Sequence, residues 1–174
     1  HGVLSGGATT SGREVIFTGA TSSCITVPTF SLASEISMCA WIKPTTWLGN
    51  MFIVSKKPVN SQWSMFIQSD QHIYMTGGSG STHSVATTGL TANTWHHVVG
   101  TITGTTAKLY LDGVGTTGTV TAIANGTTAG TNDILISTYD GGGSYIFTGR
   151  MRDVRLYNRV LSAAEVAELY KRGM

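Results

Sequence analysis

Nine carboxylates and five histidines are the groups in this 174-residue chain that could act as acids, bases or ligands. The glutamates are Glu14, Glu35, Glu165 and Glu168, and the aspartates are scattered at expected turns. Cleavage of a glycosidic bond needs two carboxyl groups roughly 5 to 10 Å apart. On one strand that means side chains on the same face, as in Glu-x-Asp-x-Glu, and no such pattern occurs. Glu14 and Glu35 stand alone at the starts of expected strands, and Glu165 and Glu168 fall in a terminal helix. His96 and His97 are adjacent, so on a strand they point to opposite faces and do not form an acid–base pair. No Ser–His–Asp or Cys–His arrangement is suggested. The expectation is a chain that binds rather than catalyses.

A sugar is held by an aromatic face against its C–H side and by fixed donors and acceptors for its hydroxyls. Trp47, Tyr139 and Tyr145 fall in expected loops and are candidates for the face, with Asn60 and His83 as polar contacts. Trp63 borders a strand and belongs in the core. Trp41 and Trp95 are surrounded by Ile, Val and Ala and are expected core anchors. The triplet Asn125-Gly126-Thr127 fits a glycan acceptor sequon, for which a chance match is the simpler reading.

The elements that must position these residues are strands. The stretch WHHVVGTITGTTAKLYLDG, residues 95–113, reads as a strand, a turn at 104–106, a second strand and the tight-turn dipeptide Asp112-Gly113. A third extended run, 114–120, follows at once. Further strands are expected at 14–17, 24–27, 36–43, 51–56, 63–68, 73–76, 83–88, 133–137 and 148–157. The run at 36–43 is apolar on both faces, which suggests a strand packed between layers. Glycine-rich loops are expected at 77–81 and 139–144. Ser162 and Glu165 fit a capping box, and Val166, Leu169 and Tyr170 share one face of the helix that follows. Residues 1–12 read as a flexible lead-in to a single domain over 13–174. About a dozen strands and one helix imply an all-β, two-sheet antiparallel β-sandwich or jelly roll with a short C-terminal helix.

Only 11% of residues are charged and the net charge is +2, and the lysines and arginines form no basic run. Nucleic-acid binding by phosphate neutralisation is not indicated. No apolar stretch approaches membrane-spanning length. Cys24 and Cys39 lie in strands where a disulfide is sterically open, though two buried thiols are the expected state. No Cys/His spacing suits structural zinc.

Four segments together resemble the laminin-G-like and pentraxin-like jelly rolls of the concanavalin A-like lectin/glucanase superfamily. They are ISMCAWIKP (36–44), the stretch at 95–113, DILIS (133–137) and GRMRDVRLYNRVLSAAEVAELY (149–170). The last carries the closing-strand pattern D-V-R-hydrophobic-Y-N-R followed by L-S-x-x-E. The resemblance implies two face-to-face antiparallel sheets with ligand loops at the rim. In pentraxin-like relatives it also implies calcium held by loop oxygens, for which Asn50 and Asp140 are the corresponding candidates. The relatives' F-D-G reads Phe17-Thr18-Gly19 here, so one carboxylate is missing. Asp153 is expected to pair with Arg155 or Arg152. The implied role is a carbohydrate-binding or adhesion module, extracellular or surface-displayed, whose partner is a glycan or glycoconjugate. The alternative is a structural or protein-interacting, self-associating domain of a virion surface, fibre or matrix.

Overall fold

The structure is a computed structural model that describes residues 2–28, 35–56, 63–77, 89–119, 133–140 and 145–174, with backbone alone at 117–119. Asn60, His83, the sequon at 125–127, and the expected strand at 83–88 lie outside the described residues.

The expected central hairpins are present. Strands β9 (His96–Thr103), β10 (Thr106–Leu111) and β11 (Val114–Thr119) pair antiparallel in succession. Asp112 and Gly113 both have positive φ, 50° and 84°, as a two-residue turn between right-twisting strands requires. On the other side of β9 lies β5 (Glu35–Pro44), then β13 (Thr148–Tyr157), β3 (Glu14–Thr18) and β2 (Thr9–Ser11). Among the described residues these seven strands form one sheet. The second has six, in the order β1 (Val3–Ser5), β4 (Cys24–Val27), β12 (Ile134–Ile136), β6 (Met51–Lys56), β7 (Trp63–Ile67) and β8 (Ile73–Gly77). Every pairing is antiparallel. The lead-in differs from expectation. Val3, Leu4 and Ser5 supply β1 and Thr9, Thr10 and Ser11 supply β2, which pair with β4 and β3 and so extend one edge of each sheet. An edge strand needs little apolar content when its ladder hydrogen bonds come from a neighbour already in place.

The two sheets enclose one core. Ile36, Met38, Ala40 and Ile42 of β5 face Met51 and Ile53 of β6, Met65 of β7 and Met75 of β8 in that cluster. Gly100 of β9 leaves room for Met75 from the opposite sheet: a Cβ there would stand 2.8 Å from the Met75 sulfur. Trp63 is 1% exposed, as expected of a core residue.

Strand β5 is apolar on both faces because each has a cover. Ser37, Cys39 and Trp41 point outward, under helix α1 (Ala163–Gly173). The helix begins with the expected capping box between Ser162 and Glu165. Arg159 donates two hydrogen bonds to the Glu165 carboxylate. Ser37 Oγ donates to the Arg159 carbonyl at 2.8 Å and accepts from the Leu161 amide at 2.9 Å, fastening the corner to the sheet. Cys39, Val99, Tyr110, Leu161 and Val166 form the apolar layer beneath. Cys24 and Cys39 sit on different sheets as buried free thiols, and burial pushes Cys39 up to about 11.

Trp41 and Trp95 anchor this helix side, not the space between the sheets. Trp41 stacks on Tyr170 of α1 with centroids 5.7 Å apart. The Arg152 guanidinium lies 4.9 Å from the Trp41 ring and 5.0 Å from the Trp95 ring, and donates to the Gly173 carbonyl at 2.8 Å.

Candidate functional site

The charged groups that might have made a catalytic pair are spent on structure. Glu14 pairs with Arg150, Glu35 accepts from Thr103, Glu165 caps α1, and Glu168 pairs with Arg172. His96 and His97 lie on opposite faces of β9, as expected. His96 Nδ1 is 2.8 Å from Asp112 Oδ2, and its Nε2 accepts from the Thr91 amide. The other Asp112 oxygen accepts from the His97 amide, so this cluster pins the β10–β11 turn against β9. Asp153 pairs with Arg155 at 3.1 Å and approaches Arg152 at 3.9 Å, as expected.

The aromatic candidates separate into two places. Trp47 is half-buried against the inter-sheet core, in the rim loop between β5 and β6. Tyr139 and Tyr145 converge on the outer face of the six-stranded sheet. Their centroids are 6.2 Å apart, and both meet Phe52 of β6, at 4.9 Å for Tyr139 and 6.0 Å for Tyr145.

Strand alternation places Phe52. Met51 and Ile53 face the core, so Phe52 faces out, next to a bulge in the β6–β7 pairing. Its partner across the ladder is Phe66, and the partner of Phe66 is Tyr74. The rings stack in a row, Phe52 on Phe66 at 4.9 Å and Phe66 on Tyr74 at 5.7 Å. Such pairs each add about 0.5–1.5 kcal/mol beyond burial. Phe52 and Phe66 are 7% and 5% exposed, so their faces are occupied by neighbours. What this surface offers a ligand is the rim of the row, where Tyr145 is 49% exposed.

Tertiary hydrogen bonds hold the two tyrosines there. The Ser137 amide donates to the Ile53 carbonyl at 3.1 Å, and the Phe52 amide to the Tyr145 carbonyl at 3.0 Å, so the segment follows β6. The Phe147 amide closes its base on the Ser137 carbonyl at 2.8 Å, and Ser55 Oγ donates to the Thr138 carbonyl at 2.9 Å. Ser137 and Tyr145 have φ of 82° and 60°, left-handed backbone that a side chain other than glycine adopts only under such constraint. At the far end of the row Tyr74 Oη donates to Asp70 Oδ2 at 2.6 Å, and this bond holds the Asp70 carboxyl below its ordinary range.

Asn50 precedes β6, half-buried, and Asp140 follows Tyr139 on the same rim, exposed. Asp140 accepts from the Thr138 hydroxyl at 3.3 Å. Calcium takes six to eight oxygen ligands. Among the described residues no group of three or more His, Cys, Asp or Glu side chains comes together. One carboxylate already engaged with a hydroxyl, plus one amide, is a poor match to that cation.

Sequence reasoning missed Phe52, Phe66 and Tyr74. Their signal is the alternation of each with the core-facing Met and Ile of its own strand, but aligning the three needs the cross-strand register.

The profile of a laminin-G-type family, described as the concanavalin A-like lectin/glucanases superfamily, matches residues 17–167. The chain belongs to this superfamily. The laminin-G-like domain is 27% identical over 149 residues to the adhesion G-protein coupled receptor V1 of Danio rerio, covering 80% of this chain and 2% of the receptor. Among solved structures it resembles the sialidase of Trypanosoma rangeli in complex with 2,3-difluoro-KDN, at TM-score 0.75 and 16% identity, over 99% of this chain and 29% of the sialidase. It also resembles the native heptameric SAP-like pentraxin of Limulus polyphemus, at TM-score 0.65 and 19% identity, over 83% of this chain and 72% of that one. The laminin-G-like domain thus spans a small part of the receptor and under a third of the sialidase, and the two structural likenesses concern the fold. The superfamily's description names both lectins and glucanases. No helix among the described residues is long and apolar enough to cross a membrane.

Proposed function

We propose that this laminin-G-like domain is a non-catalytic carbohydrate-binding module of an extracellular or surface-displayed adhesion protein, and that its glycan seats on the rim formed by Tyr139 and Tyr145. The observation that carries this reading is their convergence on Phe52, with Tyr145 half exposed. A sugar's C–H face packs against such a ring while its hydroxyls meet the polar groups of the same rim, Asn50 and Asp140 among them. The superfamily's description, the distant adhesion receptor and the solved sialidase complex support the reading by likeness.

A glycan array with the purified chain tests it. The expected outcome is saturable binding to a restricted set of glycans, weakened about tenfold in Tyr145→Ala and in Tyr139→Ala, in line with the loss of about 1.4 kcal/mol of ring contact. A flat array, with and without calcium, overturns it. The same array tests turnover: release of a sugar, abolished by changing any glutamate, would make the chain an enzyme. Calcium is a separable arm. A midpoint of thermal unfolding raised by millimolar calcium, returned by chelator and insensitive in Asp140→Asn, adds a metal to the rim. An unchanged midpoint leaves the rim metal-free.

A protein-interacting or self-associating domain is the second reading. It draws on Leu48 and Val114, 64% and 73% exposed. Sedimentation showing an oligomer that Leu48→Ser dissociates would favour it.

A further inference from the structure

A second polar concavity lies on the opposite side of the molecule, between the end of α1 and the outer face of the seven-stranded sheet. It encloses about 190 Å³ and is lined by Trp41, His97, Asp153, Arg155, Leu169 and Arg172. Two features set it apart from an ordinary surface crease. First, His97 is 2% exposed, and its Nδ1 is buried with no hydrogen-bond partner among the described residues. Buried polar atoms of this kind are uncommon in folded proteins. The ring packs against both Trp41, at 5.2 Å, and Tyr170, at 6.0 Å, so it is firmly placed. The neutral ring holds one proton on its two nitrogens, so it has one N–H to offer an acceptor in the cleft. Second, the β13–β5 ladder shifts register between Arg152 and Arg155, and Asp153 within this bulge has φ of 52°. The bulge brings Asp153 and Arg155 to line one cleft from two positions of one strand. Bulges of this kind re-aim side chains beside functional sites.

We infer that this cleft receives a single carboxylate group. The lining and the ion-pair partners of its charged groups carry three guanidinium groups, Arg152, Arg155 and Arg172, two carboxylates, Asp153 and Glu168, and a neutral imidazole, a net charge of one positive, which a monoanion balances and a dianion exceeds. Guanidinium groups match the planar fork of a carboxylate. Arg155 bonds both Tyr157 and Asp153, and Arg172 gives its Nε to Glu168, which leaves further N–H groups on each. The negative end of α1 does not oppose the ligand directly, because Arg152 donates to the Gly173 carbonyl. Trp41 and Leu169 provide apolar wall for a small body attached to the acid. The carboxylate belongs either to a free small acid or to an acidic sugar residue. The site lies on the other sheet from the tyrosine rim and stands independently of it.

The test is a nuclear magnetic resonance titration of the whole ¹⁵N-labelled chain at neutral pH and constant ionic strength. Sodium acetate, glucuronic acid and glucose are added in turn, and the His97 ring nitrogens and arginine Nε–H signals are followed. The expected result is saturable shifts with acetate and glucuronate and none with glucose. Saturation by glucuronate at one-tenth the acetate concentration or less identifies an acidic sugar, and similar concentrations identify a free small acid. Arg172→Ala, whose side chain is 73% exposed and outside the core, weakens binding at least fivefold, while Tyr145→Ala leaves it unchanged. Shifts that never saturate, their absence, or unchanged binding in both Arg172→Ala and Arg155→Gln overturns the inference.

Discussion

His97 is uncharged in the fold because burial against two aromatic rings disfavours the imidazolium, which pushes its pKa down to about 4. The unfolded chain takes up the same proton near the ordinary 6.5, so between these values the unfolded state binds more protons. The stability this provides is complete above the unfolded value and is lost as pH falls towards the folded one. The full difference is on the order of 3 kcal/mol. Urea unfolding between pH 7 and pH 4 should therefore show a falling stability that His97→Phe flattens, since phenylalanine keeps the ring stack and removes the proton site. An unchanged slope in the variant would assign the acid limb to other groups. The tyrosines of the rim act differently. In the proposed glycan-binding role their contribution is exposed ring area, so Tyr145→Ala should reduce glycan binding far more than it shifts the unfolding midpoint.

At the level of elements, α1 depends on both its ends. Ser162 accepts from the Glu165 amide while the Glu165 carboxylate accepts from the Ser162 amide, and Arg159 holds that carboxylate down at about 2. Ser162→Ala should cost about 1 kcal/mol, read as a lower unfolding midpoint. The other end is set by contact. A Cβ on Gly173 would stand 2.1 Å from Trp41 Nε1 and 2.5 Å from its neighbouring ring carbon. The indole is fixed by Tyr170 and Arg152, so Gly173→Ala must displace the helix end or the ring. A loss of about 1–3 kcal/mol and altered tryptophan fluorescence are the expected signs. The described residues around Tyr139 and Tyr145 belong to no helix or strand. They are held by hydrogen bonds of Ser137 and Tyr145 to β6, which makes the β6 backbone part of the tyrosine rim.

For the whole molecule, the sheets are registered against each other by complementary sizes across the core. Gly100 of one sheet admits Met75 of the other, with Leu109 beside them. Gly100→Ala should destabilise by about 1–3 kcal/mol through overpacking, and Met75→Ala by about 2–5 kcal/mol through the space it empties. Because they share one volume, the double variant should be less damaged than the sum of the two. Strict additivity in denaturant unfolding would mean the two do not meet across the core. The molecule then presents two unlike outer faces. One carries the aromatic row and its rim. The other is covered by α1 and holds the polar cleft around His97.

Much of this architecture is legible in the chain because it rests on local or periodic signals. Asp112-Gly113 specifies its turn through backbone sterics, Ser162 and Glu165 specify a helix start through reciprocal hydrogen bonds, and the two-faced apolar pattern of 36–43 requires cover on both sides of the strand. The four scattered glutamates likewise showed that no paired-carboxylate motif was written along the chain. The candidate site was legible only in part. Tyr139 and Tyr145 were read as loop aromatics, but their meeting depends on bonds to β6 and on left-handed backbone at Ser137 and Tyr145. Phe52, Phe66 and Tyr74 form a row only once two cross-strand registers and a bulge are in place, and the cleft at His97 exists only because a second bulge turns Asp153. Turns, caps and alternation are short-range properties that a sequence carries by itself. Which side chains share a surface is a long-range property, decided when the strands choose their partners.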